Sequence, residues 1–145
     1  MDIRLLNRDE LNSALKHVWD VFCKYEAVNY PENSKNAFRQ AIHSGEYLEM
    51  LTAYGAFDGD RIVGIIATRG EGSHVALFFV DGSYHRQGVG RRLWNEMLKD
   101  NESKIITVHS SLYAVPVYER IGFVKTDDVQ KEDGITFVPM TFERG

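Results

Sequence analysis

The 145-residue chain carries 17 Lys and Arg against 21 Asp and Glu, a net charge of -4, with 43% hydrophobic and 26% charged residues. These proportions exclude a disordered chain, and the acidic balance excludes a dedicated nucleic-acid surface. Cys23 is the only cysteine, which excludes an internal disulfide and a cysteine-based zinc site. A domain of this size hides on the order of 70% of its unfolded surface, enough for a core without staples. No apolar run has the length of a membrane helix, and Met1 to Arg4 does not read as a signal peptide. The expectation is one soluble, cytoplasmic domain over residues 1–145.

Along the chain, Ile3 to Leu6 reads as a short strand. Asn7 and Glu10 form a capping-box pair, and Leu11, Leu15, Val18, Phe22 and Tyr25 follow at helical spacing to about residue 27. Asn29 to Asn33 breaks that helix, and a second runs from Ser34 to His43. Leu51 to Phe57 and Arg61 to Thr68 flank Asp58-Gly59-Asp60, a hairpin signal. His74 to Val80 is a continuous apolar run, which predicts a strand buried on both faces. Val89, Leu93 and Met97 restore the helical period from Gly88 to Lys99. Ile105 to Val108 predicts a strand and Ala114 to Ile121 a helix, with Pro116 in its first turn. Gly122 stops that helix in a left-handed conformation. Phe123 to Thr126 and Ile135 to Phe142 close the chain as strands, joined by an acidic, mobile loop through Asp127, Asp128 and Asp133. The order predicts an α+β domain with a mixed sheet.

The densest chemical signal is Tyr84-His85-Arg86-Gln87-Gly88-Val89-Gly90-Arg91-Arg92. It leaves a strand and opens a helix, where free N–H groups and the positive end of the helix dipole suit an anion. Gly88 and Gly90 admit close approach of a phosphate, and Arg91 and Arg92 add charge beside it. Walker A fails, because Arg91 and Arg92 stand where Lys and Ser or Thr are needed. A Rossmann loop fails on Leu93 in place of the third glycine. Read alone, the stretch is equally a glycine-assisted turn with a solvated basic face.

A second motif lies downstream. Ser111-Leu-Tyr-Ala114-Val-Pro-Val-Tyr118 leads to Ile121-Gly122-Phe123. Together with His85-Arg86-Gln87-Gly88-Val89-Gly90 and the preceding Val80-Asp81-Gly82-Ser83-Tyr84, it resembles the GNAT-type N-acetyltransferases. Similarity is clearest across residues 50–142. The resemblance implies an α+β, three-layer, acyl-CoA N-acyltransferase-like fold with a mixed, largely antiparallel twisted sheet. About six to seven strands would be flanked by about four helices. It also implies acetyl-CoA as co-substrate and a monomer or homodimer; the residues themselves give no metal, and composition gives no nucleic-acid or membrane partner. The loop from His85 and Arg86 through Gln87, Gly88, Val89, Gly90, Arg91 and Arg92 would hold the pyrophosphate, mainly through backbone amides. The pantetheine arm would lie along Phe78 and Val80, against Ser111 and Ala114, with the Val80 N–H aimed at the thioester carbonyl. Three residues depart from the family pattern: His85 for Arg or Gln, Gly82 for Pro, and Ser111 for Asn.

The activity so implied is direct transfer of an acetyl group to a primary amine of a small molecule or peptide, through a tetrahedral intermediate. The alternative is an acyl-CoA-binding sensor of the same fold without efficient turnover. Tyr118 is the expected acid for the departing thiolate, since a phenol keeps its proton at neutral pH. It is otherwise a packed helix residue. His109 is the expected base, with a hydrogen-bonded histidine at a strand end and a water chain as competing readings. Asp81 and Glu71 are weaker candidates. His74 reads as buried, while His17 and His43 sit on helices without a metal-ligand partner. Cys23 reads as a small packed hydrophobe. Tyr25, Glu26 and Tyr30, at the break between the first helices, would recognise the amine or else close the core.

Overall fold

The computed structural model describes residues 1–26, 31–132 and 135–144 and, at 25 and 26, the backbone alone. Strand β1 (Asp2–Leu5) leads into helix α1 (Arg8–Val21). The predicted capping box starts that helix: Asn7 Oδ1 accepts the Glu10 N–H at 2.8 Å and Glu10 Oε1 accepts the Asn7 N–H at 3.1 Å. One π-type turn, Phe22–Glu26, follows it. Helix α2 (Glu32–Ile42) precedes a short helix α3 (Gly45–Glu49) that the sequence pattern does not reveal. Five residues are too few for a period to register, and α3 rests on the Ser44 hydroxyl accepting the Tyr47 N–H at 3.4 Å.

Strands β2 (Thr52–Asp58), β3 (Arg61–Arg69) and β4 (His74–Val80) form a meander, turning at Gly59 with φ 62°. Helix α4 (Val89–Lys99), strand β5 (Ile105–Ser110) and helix α5 (Val115–Ile121) come next. Strands β6 (Val124–Lys125), β7 (Gln130–Glu132) and β8 (Ile135–Glu143) end the chain. Among the described residues eight strands run in the order β1-β2-β3-β4-β5-β8-β6, with β7 on β8. Every neighbouring pair is antiparallel except β4 with β5.

Alternation along the strands sends successive side chains to two separate cores. Ile66, Ile106, Val138 and Met140 pack under α4 and α5 with Leu93, Trp94, Met97 and Phe123. Ile65, Ala67 and Leu77 pack under α1 and α2 with Leu11, Val18 and Ile42. Burying each large apolar side chain contributes about 1.5–3 kcal/mol, so both faces of the central strands are energetically committed. Phe123 ties its face together, with its ring centroid 5.2 Å from Trp94, 5.2 Å from Tyr118 and 5.6 Å from Phe142.

Two expectations change. Residues 130–132 form strand β7 rather than part of a loop, pairing Gln130 with Phe137 and Glu132 with Ile135. Pairing there uses backbone groups of β8 and needs no apolar side chains, so the polar sequence hides it. Strand β4 packs into both cores, as expected, but incompletely: Val75 and Leu77 are buried, whereas Ala76, Phe78, Phe79 and Val80 are only half-buried. Gly122 does stop α5 with positive φ, at 122°, beyond the left-handed helical region.

Replacing Phe123 with Ala should destabilise the fold by about 3–5 kcal/mol in denaturant titration. The same change at exposed Val124 should stay within about 0.5 kcal/mol.

Candidate active site

Strands β4 and β5 share one bridged pair, His74 with Thr107, and then part. The Thr107 N–H reaches Ser73 O at 2.9 Å, closing the apex of the gap. On its other edge β4 stays paired to β3, and the Asp81 N–H donates to Val63 O at 2.8 Å. Amides along an extended strand point to alternate edges. Beyond the bulge at Ala76, Phe79 therefore shares the β3 edge with Asp81, while Phe78 and Val80 direct their N–H groups into the gap.

The gap is a cleft of about 360 Å³. Phe78, Val108, Ala114 and Tyr118 line it on the α4/α5 face. Phe22, Phe38, Phe79, His109, Glu132 and Phe137 line it toward the other face. Of these, Phe22, Phe38, Phe79, Glu132 and Phe137 escape sequence reading. Phe22 and Phe38 occupy helical positions whose spacing suits a core equally well.

At the wide end of the cleft the chain turns through residues 81–88. Asp81 accepts the Ser83 N–H at 3.0 Å and the Ser83 hydroxyl at 2.7 Å, and pairs with Arg61 at 3.1 Å. The Ser83 hydrogen bonds, more than the nearby cations, hold its carboxyl below the usual range. Gln87 Nε2 donates to Ser83 O at 2.9 Å. His85 Nε2 donates to the Val80 carbonyl at 2.7 Å, and its Nδ1 lies 3.4 Å from the Tyr113 hydroxyl. Gly88, with φ 79°, begins α4, and among the described residues no side chain caps that helix start. The first-turn amides from Val89 to Arg91 lack intrahelical acceptors, as the opening N–H groups of any helix do.

The guanidiniums turn elsewhere. Arg91 donates to Arg120 O at 2.8 Å, at the end of α5, and Arg92 donates to Met1 O at 3.1 Å. Arg86 is exposed with φ 64°. The open donors at the start of α4 are thus backbone N–H groups rather than these two side chains.

Tyr118 is only 6% exposed, with its ring 5.8 Å from that of Phe78. The Ser111 hydroxyl accepts the Ala114 N–H at 3.1 Å and so supports the start of α5. His109 is exposed on the opposite face of the sheet, stacked on Phe137 at 4.6 Å and edge-on to His74 at 5.2 Å. His74 Nδ1 lies 2.7 Å from Thr107 Oγ1. Thr107 donates its own hydroxyl proton to Ser73 O at 3.3 Å, which assigns the proton in the first bond to Nδ1. Burial, with Arg69 and His109 nearby, pushes the His74 pKa down to about 4.

Other candidates fall outside the cleft. Glu71 sits in the β3–β4 turn, at the far end of β4 from Val80. His17, on α1, is largely buried 3.8 Å from Asp81, and burial lowers its pKa. His43 lies beside Trp19 and Arg39 in a separate groove between α1 and α2. The Tyr25 and Glu26 side chains and all of Tyr30 lie outside the described residues. Among the described residues no three metal-ligating side chains converge, and no helix is long and apolar enough to cross a membrane.

A family model for an acetyltransferase (GNAT) domain matches residues 20–144. A UPF0039 protein of Schizosaccharomyces pombe is 36% identical over 69 residues, 44% of this chain and 46% of its own. The chain spans under half the length of the curated relatives it matches. Among solved structures, a GCN5-related N-acetyltransferase from Rhodopseudomonas palustris superposes with a TM-score of 0.80. It is 18% identical and covers 98% of this chain and 94% of its own. The PaiA N-acetyltransferase of Thermoplasma acidophilum, solved with coenzyme A, has a TM-score of 0.73 at 18% identity, covering 99% of both chains.

Two outcomes follow from the geometry. Gly88→Ala forces a side chain into positive φ and should cost about 1–2 kcal/mol by thermal melting. Gly90→Ala should not, since its Cβ would meet only Phe78 at 3.7 Å and Val80 at 3.9 Å, both ordinary contacts. From pH 6.5, the ordinary histidine value, down to about 4, an unfolded chain protonates His74 and the folded chain does not. Stability should therefore fall on acidification through that window, with His17 acting in the same direction. The slope should be shallower in His74→Gln; equal slopes would contradict the burial of His74.

Proposed function

Because the chain belongs to the GNAT acetyltransferase family, we propose that it is an N-acetyltransferase that moves the acetyl group of acetyl-CoA directly onto a primary amine. The observation that carries this reading is the open edge of β4 running into the uncapped start of α4. An edge with two unpaired N–H groups suits an extended amide-containing arm, and an uncapped helix start suits a pyrophosphate. Acetyl-CoA supplies the activated acyl group; the remaining roles belong to the chain.

The amides of Phe78 and Val80 hold the arm, and those of Gly88, Val89, Gly90 and Arg91 hold the phosphates. His85 keeps the Val80 carbonyl and the loop in register. Tyr118 packs against Phe78, nearer the apex than Val80, which favours the Phe78 N–H over that of Val80 as the donor to the thioester oxygen. Tyr118 gives a proton to the departing sulfur from the α5 face. His109, on the opposite face, takes the proton of the incoming amine. Acid and base so placed serve one reaction centre without neutralising each other. Asp81 is a poorer base, being committed to Ser83 and Arg61. The sensor alternative finds its support in Ser111, whose hydroxyl is occupied within the chain. That contact leaves Tyr118 untouched.

With purified protein, acetyl-CoA and a panel of amines, CoA thiol should be released. Tyr118→Phe should lower kcat by about 100-fold while CoA affinity by calorimetry stays unchanged; equal rates at every pH would remove Tyr118 as the acid. His109→Ala should abolish the fall in rate on the acid side of the pH profile, and an intact profile would retire it as the base.

A further inference from the structure

The face of the cleft turned toward α1 and α2 has a chemical character that narrows the acceptor. Phe22, Phe38 and Phe79 form one aromatic wall, with centroids 4.1 Å apart for Phe22 and Phe38, 6.4 Å for Phe22 and Phe79, and 6.5 Å for Phe38 and Phe79. Trp19 backs the wall 6.0 Å from Phe22 and 6.4 Å from Phe38. Phe137 faces the cleft from β8, stacked on His109. Among the described lining residues Glu132 is the single carboxylate.

Charge decides between classes of amine. A polyamine or amino sugar brings several ammonium or hydroxyl groups, and each needs a partner once water is displaced, or costs free energy. The ring faces of the wall supply no such partners, and among the described lining residues the polar side chains are Glu132, His109, Ser110, Ser111 and Tyr118 alone. The same wall gains from every apolar carbon placed against it and offers ring faces at the spacing of offset or edge contacts.

On the reading that the protein acetylates amines, we infer that its acceptor is an arylalkylamine: a single primary ammonium joined by a short linker to an aromatic body. Phe22, Phe38 and Phe79 receive the ring, Glu132 attracts the ammonium, and His109 takes one proton from it to free the nitrogen lone pair. The amine nitrogen then bonds to the acetyl carbon, the carbon–sulfur bond breaks, the nitrogen gives its second proton to water, and the sulfur leaves with the proton of Tyr118, which water restores.

The test compares phenethylamine, ethylamine, spermidine and the dipeptide Phe-Gly as acceptors with the full chain. Acetyl-CoA binding is measured separately by calorimetry. Phenethylamine should exceed both ethylamine and spermidine in kcat/KM by at least about 10-fold. Phe38→Ala should reduce the phenethylamine-to-ethylamine ratio about 10-fold, mostly through KM, and Phe38→Leu should reduce it less. Because the ratio is taken within one preparation, partial unfolding of a variant does not alter it. A preference for spermidine, or a ratio unmoved by Phe38→Ala, would overturn the inference while leaving acetyl transfer in place. A preference for Phe-Gly over phenethylamine would replace a free amine by a peptide amino terminus. Failure to bind acetyl-CoA would instead remove the acetyl-transfer reading, and this inference with it.

Discussion

One backbone contact organises this molecule: the pairing of His74 with Thr107, after which two parallel strands diverge. Had β4 and β5 stayed in register, the N–H groups of Phe78 and Val80 would be spent on β5 and the sheet would be closed. Divergence leaves those donors unpaired at the centre of a sheet, where such groups are ordinarily satisfied. It also opens a passage between the two faces. Tyr118 looks into that passage from the α5 side, and His109 from the other. The apex is held by the Thr107 amide and hydroxyl, both donating to Ser73 O, and by His74 on the same hydroxyl. This small polar knot keeps the strands joined at one end only.

The basic residues beside the cleft do different work from what their sequence suggests. Arg91 reaches the last turn of α5, where a cation complements the negative end of the helix dipole. It thereby ties the loop at the start of α4 to the helix that carries Tyr118. Arg92 holds the amino-terminal segment. What the loop leaves open is its amides, whose positions are set by the backbone and which, under the proposed function, would take a phosphate without side-chain ordering.

Much of the fold is legible in the sequence because it rests on short-range regularities. The Asn7–Glu10 pair starts α1, the Asp58–Asp60 turn joins β2 and β3, and Gly122 ends α5. The loop before α4 is equally legible, since its glycines and its place after an apolar strand are local facts. What sequence hides is geometry between distant segments. The splay of β4 from β5 depends on strands separated by the whole of α4, so a run of apolar residues at 74–80 reads as fully buried when an open edge leaves part of it half-buried. Strand β7 exists because β8 offers it a partner. The aromatic wall hides for a related reason: Phe22 and Phe38 satisfy the periodicity of core-facing helix positions, and only tertiary structure turns them toward a cleft.

The most direct test of the splayed-strand account is residue-resolved amide hydrogen exchange along β4, with and without coenzyme A. The account predicts that Phe78 and Val80 exchange rapidly in the free protein and slow when coenzyme A is added. Phe79 and Asp81, bonded to β3, should be slow in both states. Protection of Phe78 and Val80 before coenzyme A is added, or exchange there indifferent to it, would contradict the account.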